Sequence, residues 1–243
     1  MNIVYFLYNE VLYRPLFNGL ILIYSFLPIH DIGISIVILT FFVRLVLFPA
    51  TIKAFKSQAA LRVIQPKLKA IQEEFKGNKE EQTKRIMALY AEHKMNPFSG
   101  CLPILIQLPI LIALYRVFWV GLKSGEFGVL YYFVAAPAAL NLIAFGFIDI
   151  AKSSIPLAIL AGVSQFFQAR FIPQLSVPTP QSGSSKEPDL SKILMFQTKY
   201  FLPILIAVWS FSLPSALPLY WTTMSLLAIV EQILIKKRFQ QGR

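Results

Sequence analysis

Five stretches of this sequence, at about 32–52, 101–121, 154–172, 199–215 and 217–236, are apolar over close to the ~20 residues that a helix needs to cross bilayer hydrocarbon. A backbone in lipid must satisfy its own hydrogen bonds, so runs of this length are expected as helices. Composition agrees: 56% of the 243 residues are hydrophobic and 14% charged, where soluble domains carry about 25% charged residues. The expected fold class is an all-α polytopic membrane protein.

The net charge of +11 would suggest nucleic acid in a soluble chain. In a membrane protein it reports orientation, because cytoplasmic loops carry the Lys/Arg excess. Residues 53–99 hold ten Lys/Arg against five Asp/Glu, and the 236–243 tail carries Lys236, Lys237, Arg238 and Arg243. Placing both inside requires an even number of crossings between them. The four later spans satisfy this, so 129–148, an apolar stretch interrupted by Pro137 and Asn141, is expected on the outer surface and partly embedded. The N-terminus is then outside and the C-terminus inside.

Residues 1–30 lack the basic start of a signal peptide. Tyr5, Tyr8, Tyr13 and Tyr24 suit a headgroup layer, which predicts an outer interfacial helix bending at Pro28; a spanning helix is the alternative. Residues 31–243 form the core, with 121–153 as an outer loop and the Pro/Ser-rich 173–198 as a flexible cytoplasmic loop. Asp31 is placed to cap the first span. Over 53–98, Ile64, Leu68, Ile71 and Phe75, and then Ile86, Leu89, Tyr90 and His93, recur at helical spacing around Gly77-Asn78. Pro66 can open the first arm, where its missing N–H is unneeded. The expectation is a cytoplasmic antiparallel helical hairpin displaying Lys67, Lys69, Lys84 and Arg85.

Catalytic patterns are missing: there is no HExxH, GxSxG, GxGxxG or P-loop. The single cysteine, Cys101, excludes an intrachain disulfide. No enzyme activity, cofactor or metal is expected.

Polar residues on the apolar helices are the remaining signal. In ILTFFVRLVLFPA (38–50), Arg44 is the one charge, and Thr40 and Thr51 share its face at offsets of four and seven. A mid-membrane arginine costs about 2.5–3.5 kcal/mol on insertion scales. Glu231 reads as solitary, a turn from Lys236 at the inner interface, so no intramembrane carboxylate is assigned to Arg44. Local water is then the expected solution, with snorkelling or backbone pairing as the alternative. Gln107, Ser164, Gln165 and Gln168 at similar depth would line such a wet, positive cavity, although helix–helix glue also explains glutamines and serines of this kind.

Three stretches in order carry a resemblance: the 38–75 run through KAFKSQAALRVIQPKLKAIQEEF, NPFSGCLPILIQLPILIALYRVF (96–118), and LPSALPLYW (213–221). Together they resemble the YidC/Oxa/Alb family of membrane insertases. The resemblance implies a five-helix transmembrane core around a hydrophilic groove open to cytoplasm and lipid. Within it Arg44 matches the groove arginine, Gln107 the second-helix glutamine and Trp221 the aromatic of the last helix. The asparagine usual four residues after that tryptophan is Ser225 here, and the glycine usual before LYW is Ala216. The implied partners are nascent membrane proteins and the bilayer, with the ribosome, the Sec translocon and the signal-recognition-particle receptor beyond them, and no sequence-specific nucleic-acid binding. The implied location is the bacterial cytoplasmic membrane. A small transporter or channel with Arg44 as an anion site is the competing expectation.

Overall fold

The computed structural model describes residues 3–93, 102–121, 127–171 and 196–241; most of the 173–198 loop and the NPFSGC part of the second motif lie outside them. The N-terminal segment is helical from residue 3 to 26: α1 (Ile3–Leu7), a π-helical turn (Tyr8–Tyr13) and α2 (Arg14–Phe26). The helix stops just before Pro28, with Leu27 extended. This segment docks into the bundle. Tyr13, Phe17, Leu20, Ile21 and Tyr24 are all buried in the main core, so Tyr13 and Tyr24 pack against protein.

Helix α3 (Ile32–Glu74) is continuous over 43 residues, about 65 Å at 1.5 Å per residue and roughly twice the hydrocarbon thickness. Asp31 caps it, Oδ1 accepting from the Ile34 N–H at 2.9 Å. The expected break near residue 53 is absent, and Pro66 lies inside the helix instead of opening a new one. An interior proline forfeits one backbone bond and crowds the preceding turn. Tertiary packing on both sides of it compensates: Leu61, Ile64 and Leu68 bury against Ile86, Leu89 and Tyr90 of α4 (Lys79–Glu92). Asn78 caps α4 by accepting from the Glu81 N–H. The buried Gln82 amide donates to the Gln72 carbonyl at 2.8 Å and ties the two arms together. Of the expected apolar positions, Phe75 is half-buried under the Arg85 guanidinium and His93 is exposed.

Four further helices complete the described chain. They are α5 (Leu102–Arg116), extended by a π turn to Gly121; α6 (Ile155–Phe171); α7 (Leu202–Ser210), preceded by a π turn from Gln197; and α8 (Ala216–Gln241). By length and composition Ile32–Leu61 and Ala216–Arg238 can cross a membrane, and Ile106–Trp119 and Lys199–Ser210 are shorter apolar helices. The main packing partners of α8 are α6 and α3, and α6 also packs on α7. At that last contact the chain needs a glycine: a Cβ on Gly162 would sit 2.6 Å from the Ala207 Cβ and 3.2 Å from the Pro203 carbonyl. Small residues let apolar helices approach this closely. The other faces carry large exposed apolar side chains, among them Val46, Ile159, Phe167, Val208, Leu226 and Val230, as lipid-facing surface would.

Residues 127–152 contain no α-helix. They hold a single 3-10 turn and a two-residue antiparallel ladder, β1 (Ile143–Ala144) with β2 (Ile148–Asp149). Side-chain and backbone bonds fasten this loop to the bundle. Asn18 donates to the Val129 carbonyl and accepts from the Tyr131 N–H, and the Tyr24 hydroxyl accepts from the Asn141 N–H. Asp31 Oδ2 accepts from the Phe145 N–H, and the Ser215 hydroxyl donates to the Lys152 carbonyl. The loop therefore runs along α2 and covers the ends where α3 and α8 begin. Gly33 is required here, because a side chain on it would collide with Ala144.

Candidate functional site

Three helices direct polar side chains onto α8. Arg44 stands 12 residues into α3, about 18 Å along its axis, and Glu231 stands 15 residues into α8, about 22 Å. Both helices start under the same loop, so the two residues reach one depth. The Arg44 Nη2 lies 2.8 Å from Glu231 Oε2, each side chain being 12% accessible. This overturns the expectation that Arg44 has no carboxylate at its level and that Glu231 stands alone beside Lys236. An unpaired buried guanidinium is costly, and the Glu231 carboxylate offsets part of that cost.

The pair is incomplete. Glu231 Oε2 makes no hydrogen bond despite this approach, and the buried Arg44 Nε has no hydrogen-bond partner among the described residues. An arginine held for stability alone would present its fork to both carboxylate oxygens.

On α5, the Gln107 amide donates to the Tyr220 hydroxyl at 2.6 Å, and that hydroxyl points to the Met224 sulfur at 3.7 Å. Tyr220, Met224 and Glu231 fall at offsets of four and seven, one stripe of α8. The adjacent stripe holds Trp221, Ser225 and Gln232. The Ser225 hydroxyl donates to Gln165 Oε1 on α6 at 2.9 Å, Trp221 packs on Trp209 with ring centroids 6.4 Å apart, and the buried Gln232 Oε1 has no partner among the described residues.

Other expected groove residues are used locally. Thr40 is buried and donates to the Ile36 carbonyl, Ser164 donates to the Ala161 carbonyl, and Thr51 bonds back to Leu47. Gln168 is half-buried, one turn beyond Gln165 on α6. Lys67, Lys69, Lys84 and Arg85 are exposed on α3 and α4, Arg85 pairing with Glu81 at 2.8 Å. Of the expected groove residues, the structure brings Arg44, Gln107 and Gln165 onto α8, where they meet Glu231, Tyr220 and Ser225; Tyr220 and Glu231 were not among the expected ones. The one sequence signal for Glu231 is that it is the sole acidic residue in the 217–236 run.

Residues 22–242 match the family described as 60Kd inner membrane protein. The chain belongs to that family, the YidC/Oxa/Alb proteins. It is 32% identical over 210 residues to a membrane protein insertase YidC of Fusobacterium nucleatum, covering 86% of this chain and 88% of that one. It is also 34% identical to proteins of the same description from Francisella tularensis subsp. novicida and Francisella philomiragia, of which it spans only a third. The YidC/Oxa/Alb match covers Arg44, Gln107, Gln165, Tyr220 and Glu231 alike. The apolar helices agree with an inner-membrane protein of this family.

Proposed function

We propose that this chain is a membrane-protein insertase, not an enzyme, in which Arg44 draws acidic or polar segments of a client into the membrane while the client's apolar helix passes into lipid. Family membership and the name of the Fusobacterium relative, which matches over most of both chains, support the insertase reading. One observation carries the site: Arg44 is a largely buried cation within the apolar stretch of α3, close in sequence to exposed Phe41, Leu45 and Val46. A polar client segment would meet a charge there and an apolar one would meet lipid.

Burying a client helix supplies roughly 25 cal/mol per Å² of apolar surface, so nucleotide is unnecessary. The charge distribution supports an outer N-terminus, with the α3–α4 hairpin and the tail in the cytoplasm. The loop over the starts of α3 and α8 then closes the outer side, and client access is from the cytoplasm and from lipid. Lys67, Lys69, Lys84 and Arg85 would face incoming chains or an anionic partner such as the ribosome.

Photocrosslinkers placed at 107 and 168 test this on stalled ribosomes carrying nascent membrane proteins. Both positions are expected to capture the client, and Tyr132 in the outer loop, fully exposed, is not. Absence of adducts from 107 and 168, or equal capture from 132, would refute the reading.

A further inference from the structure

We propose that Glu231 is a specificity-determining residue: a built-in counter-ion that an acidic client segment displaces from Arg44, so that Glu231 sets how acidic a client must be. This rests on the insertase reading above.

Three observations lead here. Arg44 Nη2 and Glu231 Oε2 lie 2.8 Å apart without a hydrogen bond at Oε2. Among the described residues, the buried Arg44 Nε has no hydrogen-bond partner and Oε2 of Glu231 makes no hydrogen bond. Neither side chain is fully enclosed, each retaining 12% accessibility. A pair that leaves donors unused loses little when its carboxylate is exchanged for another, and a client carboxylate can gain the idle Nε–H that Glu231 does not use.

Exchange also answers a difficulty with an uncompensated arginine. A bare buried cation is costly in every resting molecule. With Glu231 in place the resting site is neutral, and the client competes only with a tethered carboxylate already at hand. The neighbouring polar groups do not offer the same competition. Tyr220 is engaged with Gln107, Gln165 with Ser225, and Thr40 with its own helix. Among the described residues Arg44 has one ion-pair partner, and it is Glu231.

The test is Glu231→Gln in proteoliposomes, with a set of clients differing only in the number of acidic residues in the translocated tail. Removing the internal competitor is expected to raise insertion of acidic-tailed over neutral-tailed clients by about fivefold or more, the lower end of ordinary coupling energies. Neutral-tailed clients report any general loss from leaving Arg44 unpaired, so the readout is the acidic-to-neutral ratio. Glu231→Asp, which keeps the charge but shortens its reach, is expected to fall between the two and provides the answer if the glutamine variant folds poorly. An unchanged acidic-to-neutral ratio, or a uniform loss across all clients, would overturn the role of Glu231. Failure of wild type to insert any client would instead overturn the insertase reading.

Discussion

Arg44 of α3 and Glu231 of α8, 187 positions apart in the sequence, meet at 2.8 Å at a depth both helices reach from the same capped end. Removing one member leaves the other as an unpaired buried charge, which costs about 3–5 kcal/mol. Arg44→Ala and Glu231→Ala should each lower stability in detergent or nanodiscs. The double variant should lose less than the sum, by at least ~1 kcal/mol of coupling. Additive losses in an unfolding double-mutant cycle would remove the pair from the account.

The Gln107–Tyr220 bond joins α5 to α8 across 113 residues. Tyr220→Phe keeps the ring and strands the Gln107 amide, which should cost about 1–3 kcal/mol. Tyr220→Phe combined with Gln107→Leu should recover part of that loss, measured by the same unfolding assay.

Close packing of α6 on α7 depends on Gly162. Gly162→Ala drives a methyl into Ala207 and should destabilise by about 1–3 kcal/mol, whereas Gly128→Ala, with nothing within 4 Å of its added methyl, should leave the melting temperature nearly unchanged. Cysteine crosslinking between α6 and α7 would report whether the helices have separated.

In the α3–α4 hairpin, burial raises the Tyr90 phenol above its ordinary pKa of 10.0. The folded pKa being higher, this contribution to stability is complete below the unfolded phenol's pKa and is lost as pH rises through the folded one. Amide exchange in α4 should therefore accelerate in strongly alkaline solution, and Tyr90→Phe should weaken that dependence.

What the sequence disclosed was local. Asp31 as a cap, Gly77-Asn78 as the divide between the two arms, and Ile64, Leu68, Ile86 and Leu89 as one buried seam follow from short-range chemistry and helical period. Pro66 was misread because its local preference for a helix start yields to packing against α4, contributed by residues 20 and more positions later. The site was half legible for the same reason. Arg44, Gln107 and Gln165 stand out as polar residues in apolar runs and Ser225 through the family resemblance, but Glu231 and Tyr220 are set by how α3 and α5 pack on α8. Glu231 looked interfacial beside Lys236 until its depth was fixed by the pairing itself. The bonds that fasten 127–152 to α2, α3 and the start of α8 are likewise long-range, and alternation or period does not encode them.

The central claim is that the charge of Arg44 selects clients. The most direct measurement compares wild type, Arg44→Lys and the Arg44→Ala/Glu231→Gln double variant, which leaves neither charge buried alone. Insertion is followed in proteoliposomes across clients whose tails run from neutral to strongly acidic. The account predicts that wild type favours acidic tails, that lysine retains part of that preference, and that the double variant loses it while still inserting neutral-tailed clients. An identical dependence on tail charge in wild type and the double variant would contradict it.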